Sequence, residues 1–597
     1  VSETRLDIRS RLVLVAACLA VLLTAFEVRT PVISLGPVSF TTSELAAGLL
    51  IIASLVYACA NLSWYLSRRA LDLAVLLFLL VNFLSAALVA EDRPGAFKFA
   101  LRMTYAALVY LAVSRLPARA RSWLWLAGGV TAALMIVTVV GLLENFVSAV
   151  QWPDLLEPFQ EGVIIFGTFY NVRVSSTLPF PTVFSMFLEL ALPMALALGL
   201  WLAGRQARRS RRLWLEAATV ALLAAVMVLQ VFTYTRSALV ATPVAMLGGA
   251  MLAGLYGYGR RVWVFLGLGV VFLAIAVVAS VLFSNKMASR LDLAEQERHY
   301  GAEYTLISRP SELSLGQAGT VRIHVKNTGS INWTSEPDGE VALVYRWRTY
   351  PQNEYYEMPS YIVTEMPYVV PPGGEVDLTA DFLVPEEGGR YVLVFELFKT
   401  HVSLFSSAGV APLIMPLEFI NGKSRPLTIT ENSESFEAIE PAQVTATRSQ
   451  LWRAGFKAWK ANPLLGLGPD QFRIRYNDYA PELEHDARIR THNIFLESAA
   501  TTGVAGLAVM IFLIIRLFTV QFRLVRNRNQ GTAARLVSLA LIVASLAYVA
   551  HGMLDCFLWQ TGIAFLFFTY LGLTSWLDFE VKSEKKTEPV RSFRSGL

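Results

Sequence analysis

Six histidines occur in this chain. Two of them, His492 and His551, fall in or beside apolar runs, where a titratable ring is costly to keep. His492 stands in RTHNIFLESAATTGVAG (Arg490 to Gly506), between the capping-competent Thr491 and Asn493, where a long apolar segment begins. A helix N-terminus disfavours imidazolium, so a neutral ring able to accept a proton is expected there; an ordinary cap is the alternative. His551 with Asp555 is expected near the outer end of the eleventh apolar span, bracing the last two helices or reaching the site. His299, His324, His401 and His485 lie in a polar segment and read as solvated surface residues.

Arginines between apolar spans are functional candidates by default, because charge within a bilayer is costly. Arg236 in FTYTRSALVA, Arg173 in TFYNVRVSSTLPFPT and Arg448 in TRSQLWRAGF all fall on the side of the membrane expected for His492. Snorkelling or topology is the alternative for each taken singly. Guanidinium groups grip phosphate as a planar fork, so a cluster of them suits a pyrophosphate leaving group. A neutral histidine could take the proton of an attacking hydroxyl, a contribution of roughly 10² to 10⁴ in rate. The chemistry these residues would perform together is glycosyl transfer from a lipid pyrophosphate.

Other chemistries have no residues to carry them. The chain contains no phosphate-cradling G-x-x-x-x-G-K-[ST], no H-E-x-x-H and no convincing D-x-D in a cytoplasmic loop. Asp292 and Asp486 could hold a metal on the outer side but read as solvated charges. Cys18, Cys59 and Cys556 offer neither a disulfide framework nor paired metal-ligand spacing, and are expected to be small buried hydrophobes.

The elements that must position these groups are membrane helices. Of 597 residues, 55% are hydrophobic and 16% charged, with a mean hydropathy of +0.49, far too apolar for a soluble multidomain protein. Spans are expected at about 11–28, 44–66, 70–90, 97–115, 121–146, 178–203, 212–233, 237–257, 262–284, 493–518, 534–554 and 559–578, since roughly 20 apolar residues cross a bilayer. The first is not a convincing cleavable signal. The net charge of +5 resides in short clusters between spans, such as GRQARRSRR (Gly204 to Arg212), which makes it an orientation signal and not a nucleic-acid patch. Both termini are then cytoplasmic and the large loop lies outside.

Between the ninth and tenth spans the periodicity changes. TVRIHVKN, EVALVYRW, EVDLTADFLV and RYVLVFEL alternate in strand fashion between NTGS, PPGG and PEEGG, as in an all-β sandwich. The expected organisation is transmembrane helices 1–9 over 1–284, a connector over 285–303, an immunoglobulin-like β-sandwich over 304–430, an interfacial helix and loop over 431–492, helices 10–12 over 493–578 and a cytoplasmic tail over 579–597. NTGSINW, VVPPGGEVDL and GGRYVLVFEL resemble bacterial immunoglobulin-like modules. The interfacial helix is expected to put Leu451, Trp452, Gly455, Phe456 and Trp459 on one face at the outer membrane boundary.

The pattern H-[NSQ]-x9-G-x-x-G is met by His492, Asn493, Gly503 and Gly506, and resembles the signature of the O-antigen ligase and O-antigen polymerase superfamily. TYTRSALVA resembles that family's T-x-S-R-x-A segment, with Thr235 where serine usually stands. RSQLWRAGFKAWKANPLLGLGPDQF is similar to its R-x-x-x-W helix and P-L-x-G-x-G turn. The resemblance implies a GT-C-like polytopic α-helical enzyme of the bacterial inner membrane, using no metal and no cofactor. It would move a glycan from undecaprenyl pyrophosphate to a hydroxyl of lipid A core or another glycan acceptor. Carried over, His492 is the base, Arg236 and Arg448 hold the pyrophosphate, and Arg173 matches more loosely. Asn493, Thr235, Gly503 and Gly506 support them, the glycines as close-packing positions. The sandwich departs from the family pattern and leaves the acceptor open. A polymerase joining lipid-linked repeats and a protein-glycosylating relative share this chemistry. A transporter of polyprenyl-linked glycans would use the arginines as a path instead, but the chain shows no clear self-similarity between halves. An adhesion module on a membrane anchor leaves the spans unexplained.

Overall fold

The computed structural model describes residues 7–587 except 29–31, 36–37, 118–121, 147–155, 157, 161–162, 166–167, 171–172, 284–299, 336–340, 351–354, 357, 359–361, 400–402, 409, 428–446 and 482–488. Asp292, His299, His401, His485 and Asp486 lie outside the described residues.

Helices α1 (Ile8–Leu23), α2 (Thr42–Ala60), α3 (Leu62–Tyr65), α4 (Asp72–Leu88), α5 (Arg93–Ser114), α6 (Ser122–Phe146), α7 (Pro181–Gly204), α8 (Arg209–Phe232), α9 (Arg236–Leu255) and α10 (Arg260–Phe283) precede the β-rich region. After it come α11 (Arg448–Ala461), α12 (Phe472–Arg475), α13 (Ile494–Arg526), α14 (Thr532–Gly552) and α15 (Thr561–Thr587). Among the described residues ten helices are long and apolar enough to cross a membrane. The other two of the twelve expected spans fall on shorter helices. α4 has 17 residues, giving way to a turn before Asp92 caps α5, and α1 has 16, stopping where the Thr24 hydroxyl bonds the Val21 carbonyl. The cysteines depart in part from expectation: Cys556 is buried, but Cys18 is half-buried and Cys59 is exposed near the end of α2.

Hydrogen bonds between loops stitch one end of the helical bundle. Thr177 Oγ1 donates to the Ala25 carbonyl at 2.6 Å, the Gly562 N–H to Glu27 at 2.9 Å, and Gln471 exchanges bonds with the backbone of Asp92. At the far end of the same helices arginines gather. Arg115 bonds Asp72 at 2.9 Å, and Arg523 bonds Asp578 at 3.0 Å.

α13 is broken. Gly503 sits at φ 66°, ψ −163°, a conformation almost confined to glycine, and a Cβ there would overlap the Leu464 carbonyl. The turn after α11 enters the gap: Leu467 and Gly468 donate N–H bonds to the Ala500 and Thr501 carbonyls, while Pro463 and Leu464 accept from Val504 and Ala505. Backbone groups freed by the break are therefore satisfied by another segment's backbone, the condition under which a helix can be interrupted at membrane depth.

Among the described residues the strands of the inserted region include β1 (Ala302–Ser308), β2 (Ala318–Asn327), β3 (Val341–Thr349), β4 (Tyr355–Tyr356), β5 (Glu375–Leu383), β6 (Gly389–Lys399), β7 (Leu413–Ile420) and β8 (Lys423–Pro426). A three-stranded antiparallel sheet runs β5, β2, β1, and a larger one runs β8, β7, β6, β3, β4. β5 alternates exposed and buried residues along its length, and Leu378 and Phe382 share one core with Tyr345, Trp347 and Phe395 of the larger sheet. In NTGSINW the Asn327 amide donates to the Ile331 and Val370 carbonyls and its oxygen accepts from the Gly329 N–H, fixing the turn that buries Trp333.

Candidate functional site

α13 begins at a true side-chain cap. Asn493 Oδ1 accepts the N–H groups of Phe495 and Leu496, both at 3.0 Å, and its Nδ2 donates to the Met553 carbonyl at 2.8 Å. The cap is therefore Asn493, and it ties the start of α13 to the turn between α14 and α15. Thr491 is turned toward the first turn of the helix instead, where its N–H and hydroxyl both bond Glu497, at 3.0 and 2.9 Å. His492, between them, is held at φ 51°, a left-handed conformation rare outside glycine.

The α14–α15 turn carries the partner of His492. Nδ1 of His492 lies 2.9 Å from Asp555 Oδ1, and the same oxygen accepts the Cys556 N–H at 2.8 Å. Burial pushes the Asp555 carboxyl up, but the hydrogen bond and charge of His492, with the charge of His551 and the Cys556 N–H, bring it below the usual value of 3.8. An ionised carboxylate only accepts, so Nδ1 carries the hydrogen of this bond, and a neutral ring in that tautomer would offer its lone pair at Nε2. The His492 side chain is 35% exposed, open enough for a substrate atom to reach it.

His551 makes bracing hydrogen bonds, but to Ser237 and Glu189 on earlier helices. It is fully buried, with Nε2 2.7 Å from Ser237 Oγ and Nδ1 2.8 Å from Glu189 Oε2. Glu189 also accepts from Gln230 at 3.1 Å and Thr242 at 2.9 Å, so a single network joins α7, α8, α9 and α14. Ser237 is next to Arg236, which links the arginine turn through His551 to the chain segment bearing Asp555.

Arg236 opens α9 and Arg448 opens α11. The guanidinium of Arg236 is within electrostatic reach of Arg448. Among the described residues neither has an ion pair or side-chain hydrogen bond. Two like charges kept together, with no ion pair to a carboxylate among the described residues, suit an anion. Arg173 reaches the same turn as a brace: Nε donates to the Thr233 carbonyl at 2.7 Å and a terminal nitrogen to Thr235 Oγ1 at 2.9 Å. Tyr234, between those threonines, has φ 47°.

On α11 the residues expected to share one face divide: Leu451 and Gly455 are buried with Ala454 and Ala458, whereas Trp452 and Phe456 are exposed. Gly455 faces Thr491 and Leu496, so small residues let α11 approach the start of α13. A Cβ at Gly506 would strike the Thr502 hydroxyl within α13 itself.

Sequence reasoning missed Glu189, Ser237 and the pairing of Asp555 with His492. Glu189 carried a signal, a lone acid inside the run 178–203, which should count as a functional candidate by default. Among the described residues no group of three or more His, Cys, Asp or Glu side chains could hold a metal ion.

A family model described as O-antigen ligase matches residues 391–511. The matched stretch holds Arg448, His492, Asn493, Gly503 and Gly506, and ends before Asp555; Arg173 and Arg236 precede it. With the polytopic helical fold, this supports the O-antigen ligase superfamily and a multi-pass inner-membrane enzyme of the ligase or polymerase type. No curated protein matches the chain.

Proposed function

We propose that the protein transfers a glycan from an undecaprenyl-pyrophosphate donor to an acceptor hydroxyl, with His492 as general base and Arg236 and Arg448 binding the pyrophosphate. The observation that carries this reading is that Arg236, with Arg448 near it and no ion pair on either among the described residues, adjoins Ser237, whose partner His551 stands four residues before Asp555, the acid that holds His492 Nδ1.

In this scheme the acceptor O–H gives its proton to His492 Nε2 as its oxygen attacks the anomeric carbon. The bond from that carbon to the pyrophosphate oxygen breaks, and undecaprenyl pyrophosphate leaves with its charge held by the two guanidiniums. Asp555 stabilises the imidazolium that forms and fixes its tautomer, the role an orienting carboxylate plays beside a histidine base. Arg173 holds the 233–235 turn that aims Arg236. The gathering of Arg115, Arg523 and their neighbours at the opposite end supports placing that end in the cytoplasm and the site outside.

Proteoliposomes holding the protein, an undecaprenyl-pyrophosphate glycan and a glycolipid acceptor test the reading. A new glycosidic bond with release of undecaprenyl pyrophosphate is expected. Glycan crossing the bilayer without bond formation would assign a transporter instead.

A further inference from the structure

A second feature lies on the other side of the half-helix that starts at His492. A pocket runs between α4, α5, the first half of α13 and the α14–α15 turn. Its outer end is polar, with Asp470, Arg490, Glu497 and Trp559; its inner end is apolar, with Phe78, Phe99, Val509 and Met510. Ile494 and Cys556 also line it, one two residues from His492 and the other adjacent to Asp555.

Helical geometry separates this pocket from the arginines. Successive residues turn about 100°. Leu496 and Ala500, which face α11, are therefore on the side of α13 away from Ile494, Glu497, Ser498 and Thr501, which line the pocket. Arg448 and Arg236 belong to α11 and α9. The base thus stands at the tip of a wall with an anion place on one side and the pocket on the other.

The charges of the mouth select its ligand. Arg490 bonds Asp470 at 2.6 Å, lies 3.8 Å from Glu497 and 5.0 Å from the Trp559 ring centre, and Asp470 is also bonded by Arg473 at 2.9 Å. Burial pulls the Arg490 guanidinium down, but Asp470 and Glu497 more than reverse this, so its charge is secure. Two carboxylates offset Arg490 and Arg473, so the mouth has no spare positive charge to hold a pyrophosphate. Carboxylate acceptors, hydroxyls and an indole instead suit neutral sugar hydroxyls. Arg490 is only 8% exposed, and its buried Nε has no acceptor among the described residues.

We propose that this pocket is the acceptor-side site, taking a membrane-embedded amphiphile whose apolar chain lies between α4 and α13 and whose uncharged, hydroxyl-rich head meets Asp470, Arg490 and Glu497 below His492. The inference rests on the glycan-transfer reading only for the word acceptor; the binding site can be tested without transfer.

The probe is an alkyl glucoside with a diazirine in its chain, photolysed with the full-length protein in liposomes. Labelling of the 494–510 segment is expected, and is expected to fall about tenfold, or ~1.4 kcal/mol, in Val509→Trp and in Phe99→Trp, whose larger side chains would occupy the apolar end. Ile515→Trp, at a residue of α13 that is 57% exposed, should leave it unchanged. Excess undecaprenyl pyrophosphate should not compete. Absent labelling of this segment, labelling that survives both lining variants, or displacement by undecaprenyl pyrophosphate would each overturn the proposal, the last by assigning the pocket to the donor chain. Labelling as expected in a protein that forms no glycosidic bond would retain the site and remove the transfer reading.

Discussion

His492 Nδ1 meets Asp555 Oδ1 at 2.9 Å across 63 positions of sequence, and the acid arrives on a turn that Asn493 clamps to the start of the same helix. The residue that presents the base is thus next to the one that fixes its partner. Moving the α14–α15 turn would loosen both.

Asp555→Asn removes the negative charge and offers the imidazole a donor where it had an acceptor, favouring the wrong tautomer. Transfer should fall by about 10² or more, with donor binding retained. Steady-state rates beside equilibrium binding of undecaprenyl pyrophosphate check this; an Asn variant of wild-type rate would remove the orienting role.

The pH dependence of stability carries a sign. Asp555 is lowered from 3.8 on folding, so its stabilisation is fully present above the unfolded value and is lost as pH falls through the folded one. The difference in thermal midpoint between wild type and Asp555→Asn should be flat from neutral pH to about 5 and shrink only below about 4. A difference that shrinks between pH 7 and 5 would place the titrating group elsewhere.

Arg236→Lys and Arg448→Lys keep the charge and lose the planar fork. Each should weaken undecaprenyl-pyrophosphate binding by about tenfold, or ~1.4 kcal/mol, with little change in thermal stability because neither guanidinium bonds a described side chain. Isothermal titration on the reconstituted variants reads this; full affinity in both lysine variants would mean the arginines do not grip the phosphates.

Gly503→Ala tests the helix break. Strain of about 1–3 kcal/mol is expected from the backbone conformation alone, together with overlap at Leu464. The thermal midpoint should drop, and transfer should drop with it because the turn wedged into α13 also carries the chain from Arg448. An unchanged midpoint would mean that the break relaxes at no cost.

Much of this fold is legible in the chain. Apolar runs mark the helices, because hydrophobic length is a direct physical requirement of crossing a bilayer. Strand alternation marks the two-sheet region for the same kind of reason. His492, Arg236 and Arg448 stand out because charge and polarity are conspicuous in apolar surroundings. What escapes is pairing at long range. Nothing local to Glu189 says that it will bond His551 362 positions away. Gly503 reads from sequence as a packing position. Its actual neighbours are the backbone groups of Pro463 to Gly468, which leave no side-chain signature. The packed face of α11 is equally silent in the sequence, because the small residues Ala454, Gly455 and Ala458 form it.

Whether His492 is the base is decided by the rate of glycosidic bond formation in His492→Ala proteoliposomes, measured under saturating undecaprenyl-pyrophosphate glycan beside binding of that donor to the same variant. A loss of roughly 10² to 10⁴ in rate is expected, with donor affinity preserved. Transfer at the wild-type rate would contradict the assignment.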